Sequence, residues 1–217
     1  MRSNQAFIKV SPFLVIAFWL VVFFSYTDGF KNFTQEAKRK TAIFQQQPDV
    51  AFLRVMDDAG NHTNLSVLAK STNKTLIAEF IYTRCTTLCL SLGGIFQQVQ
   101  TQILQRKLSQ KVGLVSISFD VDYESQQTLK SYRNRMIAQA VVWDIVKMQD
   151  QVVLEEVKNK LGLVVIKDQQ KNLIHNSAFL IINSSGKIVG IFEPAEISAA
   201  ITLALKQTHS NLATHHL

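Results

Sequence analysis

The sequence predicts an α/β domain held behind an N-terminal membrane anchor. Three observations predict this architecture: an uncharged apolar run near the N-terminus, alternating strand and helix patterns after it, and a closing hairpin followed by one helix. The chain has 217 residues, of which 47% are hydrophobic, so it can build one ordinary domain and an appendage. The expected division is 1–10 cytoplasmic N-terminus, 11–27 transmembrane anchor, 28–48 tether, 49–208 folded domain and 209–217 flexible tail.

The appendage is the apolar run over Pro12–Tyr26, and no charged residue lies between Lys9 and Asp28. About 18 residues are therefore available, close to the roughly 17–25 that a membrane-spanning helix needs. A cleavable signal peptide is the alternative, but bulky residues such as Phe23 stand where a small-x-small cleavage site would lie. We expect an uncleaved single-pass anchor, since a run that is apolar on every side and lies at the extreme N-terminus favours a membrane span over a buried core helix.

Basic residues flank the run on both sides, so the positive-inside rule does not decide its orientation. A short N-terminal segment usually stays in the cytoplasm, which would place the domain in the periplasm, on a bacterial inner membrane. The formal net charge of +7 raises the question of nucleic-acid binding, but the basic residues are scattered or grouped at 38–40. No basic, aromatic-interleaved stripe occurs, so we expect no nucleic-acid partner.

Strand and helix patterns alternate from about residue 50 onward. Short or continuous apolar runs predict strands, and apolar residues at three- and four-residue spacing predict helices. The predicted strands are 51–56, 75–83, 112–119, 140–143, 163–166, 178–182 and 187–192. The predicted helices are 89–108, 124–138, 151–161 and a last one from Pro194 to about Lys206.

Three local signals support these boundaries. Gly162 can end the helix 151–161, Gly186 lies in the turn of the closing hairpin, and Pro194 suits the first turn of a helix. The order of βαβ, further βα units, a hairpin and a terminal helix is that of a thioredoxin-like fold.

The two cysteines, Cys85 and Cys89, lie where the strand 75–83 gives way to the helix 89–108. The helix N-terminus favours the thiolate form there, as does the neighbouring Arg84. Four residues apart, the two side chains point to the same side of a helix. The pair can hold a soft metal or close reversibly to a disulfide. An inert structural disulfide stays open as the alternative, although so short a loop would constrain the unfolded chain little.

The prolines of the chain distinguish it from redox thioredoxins, which combine Cys-x-x-Cys with a cis-proline before the hairpin strand. Only Pro12, Pro48 and Pro194 occur, so no proline can take that position. His175 precedes the hairpin strand instead. We expect His175 to face the cysteines, with a hydrogen-bonded loop histidine as the alternative.

These residues resemble the Sco/SenC copper-chaperone family, membrane-anchored thioredoxin-like domains that help to assemble the copper centre of cytochrome c oxidase. The Cys-x-x-x-Cys after Phe-x-Tyr-Thr at 80–83 is similar to that family's copper-binding motif, and His175 stands at a similar distance from Cys89. Asp120, Glu124 and a following Leu-Lys-x-Tyr resemble another segment of the family. The resemblance covers roughly residues 45 to 206.

The resemblance implies that Cys85, Cys89 and His175 bind a copper ion for delivery to the copper-bearing subunit of cytochrome c oxidase or its assembly factors. Two thiolates and an imidazole form a soft site that suits Cu(I), whereas structural zinc sites use four protein ligands. As a metallochaperone the protein would not be an enzyme. The alternative is a thiol–disulfide reductase or redox sensor that uses the same cysteines.

Several positions depart from the family pattern. Asn176 replaces the usual hydroxyl residue after the histidine, and prolines usual in the family are replaced by Thr86, Leu90 and Val121. Asp120 could support the site or dock a partner, or it could cap the helix predicted at 124–138. The remaining histidines near the C-terminus belong to the expected tail or to a second metal site: His209, His215 and His216.

Overall fold

A computed structural model of the chain describes residues 12–26, 35–84, 88–167 and 173–213. The chain divides into two compact units, Met1–Ala42 and Ile43–Leu217. The helix α1 (Pro12–Tyr26) lies in the first unit, and α2 (Gln35–Gln46) begins there, so part of the expected tether is helical. Among the residues that the structure describes, no helix combines the length and the apolar character needed to cross a bilayer.

The second unit alternates strands and helices, as the sequence predicts. Its elements are β1 (Arg54–Asp57), β2 (His62–Asn64), α3 (Leu65–Thr72), β3 (Thr75–Ile81), α4 (Leu88–Gln105), β4 (Val112–Ser118), α5 (Gln126–Met136), β5 (Trp143–Met148), α6 (Gln151–Leu161), β6 (Val165–Lys167), β7 (Leu173–His175), β8 (Phe179–Ile182), β9 (Ile188–Phe192) and α7 (Ile197–Ala213). A 3-10 turn at Pro194–Glu196 precedes α7.

The main sheet has the strand order β2-β1-β5-β4-β3-β8-β9, and β6 pairs with β7 in a separate ribbon. The central strands β3, β4 and β5 run parallel to one another, while β8 and β9 form the predicted antiparallel hairpin. Ile81 pairs with Ser118 at the ends of β3 and β4, so both strands finish at the same level. The loops that follow them leave the sheet side by side, which brings distant parts of the sequence together.

The core explains why α4 sits firmly on the sheet. Every residue of β3 and β4 is buried, as expected for central strands covered on both faces. Phe96 of α4 is fully buried, and its ring lies 5.4 Å from that of Trp143 and 5.6 Å from that of Phe179. This aromatic group joins α4 to β5 and β8 and fixes the helix that carries Cys89.

Helix ends follow the chemistry of their capping residues. The prediction of α6 is confirmed in full, with Gly162 in the left-handed conformation at its end, φ 65°. The helix predicted at 124–138 is α5, and its predicted start at residue 124 is wrong. The Ser125 side chain accepts from the N–H of Thr128, so Ser125 caps the helix and α5 begins at Gln126. The last helix continues to Ala213, beyond its predicted end near Lys206.

Two strand predictions are misplaced. The chain turns before β1, because the Asp49 carboxylate accepts from the Ala51 N–H and the Leu53 N–H bonds back to the Val50 carbonyl. The strand predicted at 140–143 is wrong: a turn occupies residues 140–142, and β5 starts only at Trp143. Polar residues within β5 concealed its strand pattern.

Candidate metal centre

The candidate site lies where β3 and β4 end side by side. Tyr82 follows β3 and Phe119 follows β4, and the Phe119 N–H donates to the Ile81 carbonyl at 3.0 Å. The two rings are in contact, with centroids 5.6 Å apart. The sheet therefore presents a small aromatic surface at the edge from which the chain proceeds to Cys85.

His175 packs against this aromatic surface. It ends β7, its side chain is only 6% exposed, and its ring lies 4.9 Å from that of Phe119 and 6.1 Å from that of Tyr82. Both contacts are edge-on. The structure thus brings His175 next to the segment that precedes the cysteines, although the two regions are far apart in sequence.

The surroundings of His175 favour a neutral imidazole. Burial lowers its pKa below the usual value for histidine, and the hydrogen bond to the Asn176 carbonyl opposes that shift. Nδ1 lies 2.9 Å from that carbonyl oxygen, so Nδ1 carries the proton and the lone pair is on Nε2. A neutral imidazole with its tautomer fixed by a backbone carbonyl is the form that binds metal ions.

Asn176 has a structural role that the sequence analysis missed. Its side-chain oxygen accepts from the Val164 N–H at 2.8 Å, and its side-chain nitrogen donates to the Gly162 carbonyl at 3.0 Å. These bonds tie the residue after His175 to the end of α6 and the start of β6. Asn176 stands where the family usually has a hydroxyl residue, and the two bonds of its amide to Gly162 and Val164 explain the difference.

The cysteines are placed only in part. Cys85 lies outside the described residues, and Cys89 lies in the first turn of α4, where its backbone alone is described. Within the described ranges no group of three or more His, Cys, Asp or Glu side chains is close enough to hold a metal ion. The assignment of Cys85, Cys89 and His175 as one ligand set therefore stays a prediction.

Arg84, which precedes Cys85, is held by the loop after β4. Its Nε donates to the Asp120 carboxylate at 2.8 Å, and its guanidinium lies 4.5 Å from the centre of the Tyr123 ring. Burial raises the pKa of Asp120, and Arg84 opposes the rise. The Arg84 guanidinium is therefore held by Asp120 and Tyr123, and its effect on a Cys85 thiolate stays a prediction. The alternative in which Asp120 caps α5 is wrong, since Ser125 caps it.

A second acid, Glu124, holds Thr83. The Glu124 carboxylate accepts from the Thr83 N–H at 2.8 Å and from the Thr83 hydroxyl at 2.9 Å. Sequence reasoning noted Glu124 only as part of a resembling segment and gave it no role. The available signal is an acidic residue at the start of a predicted helix, which is too common to identify a contact.

The C-terminal histidines fall at or beyond the end of the described residues. His209 lies in α7 without a described side chain, and His215 and His216 lie outside the described residues.

Comparison with known proteins shows the family of the chain. A family model described as SCO1/SenC matches residues 51–210. A curated relative, the SCO1 protein homolog of Bacillus subtilis (strain 168), is 23% identical over 122 residues, which are 55% of this chain and 62% of that protein. The chain thus matches less than two thirds of the length of that relative.

Two solved structures share the fold. BsSco, described as a member of the Sco family of cytochrome c oxidase assembly proteins with a disulfide switch, aligns with a TM-score of 0.61 and 19% identity over 74% of this chain and 95% of its own. Yeast Sco1 with copper bound aligns with a TM-score of 0.56 and 16% identity over 72% of this chain and 87% of its own. These alignments confirm the mixed α/β, thioredoxin-like fold.

Proposed function

We propose a copper-delivery function for this chain, which belongs to the SCO1/SenC family. In this proposal the protein binds one copper ion as cargo through Cys85, Cys89 and His175. It then passes the ion by ligand exchange to the copper-bearing subunit of cytochrome c oxidase or to its assembly factors. The copper-bound structure of yeast Sco1 and the description of BsSco as an oxidase assembly protein support this role.

The observation that carries the proposal is the position of His175. A histidine needed only for folding could lie anywhere in the core, but His175 lies against the residues that follow β3 and β4. Its Nδ1 bond to a backbone carbonyl leaves Nε2 as the nitrogen with the lone pair. Dithiol exchange does not require such a residue, whereas a three-ligand metal site does.

The donor set suits copper. Thiolates and imidazole are soft or borderline ligands, and three of them match the coordination that Cu(I) accepts. Burial around His175 excludes water and keeps the imidazole neutral, so it does not have to lose a proton on binding.

We further propose that the N-terminal segment anchors the protein in a bacterial inner membrane with its domain in the periplasm. The uncharged run that forms α1 supports the anchor. Protease added to spheroplasts should digest the domain while the chain remains in the membrane fraction. Protection of the domain, or an N-terminus that begins near Asp28, would contradict this arrangement.

Copper binding is tested on the full chain purified in mild detergent. We expect the reduced protein to bind one Cu(I) against a competing chelator, and His175→Ala to lower the affinity by at least about tenfold. His62→Ala is the matched control, since His62 is exposed on β2 and should not matter. Equal affinities for the wild type and His175→Ala would reduce the site to a dithiol and refute the histidine ligand.

Delivery is tested in a cell that lacks its own copy of the gene. The wild-type chain should restore cytochrome c oxidase activity, and Cys85→Ser, Cys89→Ser or His175→Ala should not. Restoration by all three variants would rule out copper delivery through this ligand set.

A second candidate function is reduction of the thiols of the same client. The disulfide switch described for BsSco and the spacing of the two cysteines favour it. Under this function His175→Ala would keep the exchange of a Cys85–Cys89 disulfide with glutathione and would still restore the oxidase. The histidine variant therefore separates the two functions.

A further inference from the structure

We propose that Glu124 is the positioning residue of the ligand loop, defined as Thr83 and Arg84, the two residues that precede Cys85. Glu124 follows β4 and accepts two hydrogen bonds from Thr83, which follows β3, so it holds the backbone two residues before Cys85. This inference rests on the proposed copper site and adds a residue that determines its geometry.

The Glu124 carboxylate is buried, with 5% of the residue exposed, and it accepts four hydrogen bonds. Two come from Thr83, through its N–H and its hydroxyl. The others come from the hydroxyl of Ser118 at 2.8 Å and that of Thr128 at 2.6 Å. Four donors match the four lone-pair sites of the two carboxylate oxygens, so the group is fully satisfied.

The bonds to Thr83 distinguish this carboxylate from a helix cap. The helix α5 already has its cap in Ser125, and Thr128 and Ser118 belong to α5 and β4, the elements on either side of Glu124. Thr83 belongs instead to the loop that leaves β3, distant in sequence. Two of the four hydrogen bonds that this buried carboxylate accepts therefore come from the ligand loop.

Further hydrogen bonds hold both Thr83 and the loop that carries Glu124. An Arg135 side-chain nitrogen donates to the Thr83 carbonyl, so the N–H, the hydroxyl and the carbonyl of Thr83 are all bound by side chains of the α5 region. The Lys147 ammonium donates to the carbonyls of Val121 and Glu124 at 2.9 and 3.0 Å. The loop that carries Glu124 is thus itself fixed to β5.

Such contacts govern a metal site because they restrict the rotation of the ligand backbone. Partners that orient metal ligands without touching the metal typically contribute about 10–100-fold to affinity. Thr83 is two residues before Cys85, so freedom at Thr83 becomes freedom of the Cys85 sulfur. Loss of these contacts should therefore weaken copper binding and change the copper–thiolate spectrum.

The experiment compares two variants that each remove one hydroxyl donor from the same carboxylate. Thr83→Val removes the donor on the ligand loop, and Ser118→Ala removes the donor on β4. Both variants leave Glu124 with three hydrogen bonds, so a purely structural role predicts similar effects. Thr83→Ser keeps the hydroxyl and serves as the conservative rescue. Each full chain in detergent is measured for its urea midpoint, its Cu(I) affinity and the charge-transfer absorption of its Cu(II) form.

We expect Thr83→Val to lose at least about tenfold in Cu(I) affinity and to shift the absorption band. Ser118→Ala should lower the urea midpoint by a similar amount, yet keep the wild-type affinity and band, and Thr83→Ser should behave as the wild type. Equal effects of Thr83→Val and Ser118→Ala on the copper readouts, or no effect of either, would overturn the positioning role.

The disulfide provides a readout that does not depend on copper. The glutathione midpoint of the Cys85–Cys89 pair should shift in Thr83→Val and not in Ser118→Ala, because only the former removes a bond from the residue two positions before Cys85. If the wild-type chain binds no copper, the proposed function fails, and this midpoint alone decides the inference. An unchanged midpoint in Thr83→Val would then refute it.

Discussion

Glu79 should make the stability of the domain fall as the pH rises. It lies in the middle of β3, is 1% exposed, and accepts from the Ser116 hydroxyl at 2.6 Å. That hydroxyl accepts in turn from the Trp143 indole N–H at 2.9 Å. The second carboxyl oxygen has no hydrogen-bond partner among the described residues. An ionised carboxylate here would be poorly compensated, so the folded protein favours the protonated form.

The size of the effect follows from the pKa of Glu79. Burial raises this pKa from 4.5 to about 8, although the Ser116 hydrogen bond opposes the rise. Because the folded state holds the proton more tightly, the contribution of Glu79 is fully present below about pH 4.5 and is lost as the pH rises through about 8. At about 1.4 kcal/mol for each pKa unit, the loss over that window is up to about 5 kcal/mol.

Glu79→Gln isolates this effect. Glutamine has the shape of the protonated acid but cannot ionise, so the variant should match the wild type near pH 5 and exceed its stability near pH 8 by a few kcal/mol. Urea unfolding of the full chain is followed by Trp143 fluorescence in a Trp19→Phe background. Glu155→Gln is the control, because its exposed pair with Lys158 contributes only a few tenths of a kcal/mol. Parallel stability curves for the wild type and Glu79→Gln from pH 5 to 8.5 would refute the reasoning.

Three further predictions concern the fold, each measured by urea unfolding. Phe96→Ala should cost about 3–5 kcal/mol, whereas Phe44→Ala, at an exposed position, should cost less than about 1 kcal/mol; equal losses would contradict the central role of the aromatic group. Gly186→Ala should cost more than about 1–2 kcal/mol, because φ is +78° and a Cβ would meet the Ser66 Cα at 2.9 Å; an unchanged midpoint would refute this strain. Asp150→Ala should lower the free energy of unfolding by about 1 kcal/mol, because it removes the N-cap of α6 and its bond to the Val153 N–H, and Asp150→Asn should restore most of that loss. Equal urea midpoints for the two variants would exclude this capping role.

The sequence predicts the central elements because their residues carry strong local signals. The unbroken apolar run of β3 and the left-handed glycine after α6 each determine one structure without help from the rest of the chain. The sequence does not reveal β5 because Asp144 and Lys147 interrupt its apolar pattern. Lys147 finds its hydrogen-bond partners only in the folded domain, where its ammonium donates to the Val121 carbonyl. Local patterns therefore identify elements whose stabilising contacts lie within the element or its immediate neighbours.

For the candidate site, the placement of His175 could be predicted from the sequence, whereas the contacts that support the neighbouring backbone could not. The cysteine spacing and the histidine before the hairpin strand indicate a ligand set, and the structure brings His175 to the expected edge. The contacts that hold the neighbouring backbone, such as that between Thr83 and Glu124, join residues far apart in sequence. The pairing of β3 with β4 brings those residues within hydrogen-bonding distance, so no local sequence pattern predicts these contacts.

His175 belongs to the separate ribbon of β6 and β7, which can open locally while the main sheet stays folded. A two-stranded ribbon of three residue pairs has little cooperative stability of its own, whereas the seven-stranded sheet opens only with the whole domain. Amide hydrogens of the ribbon should therefore exchange with deuterated solvent long before those of β3 and β4. His175 can leave its neighbours in such a local opening while the sheet stays intact. The time for which the histidine is withdrawn is then set by ribbon opening, a rate that substitutions in the ribbon could tune without changing global stability.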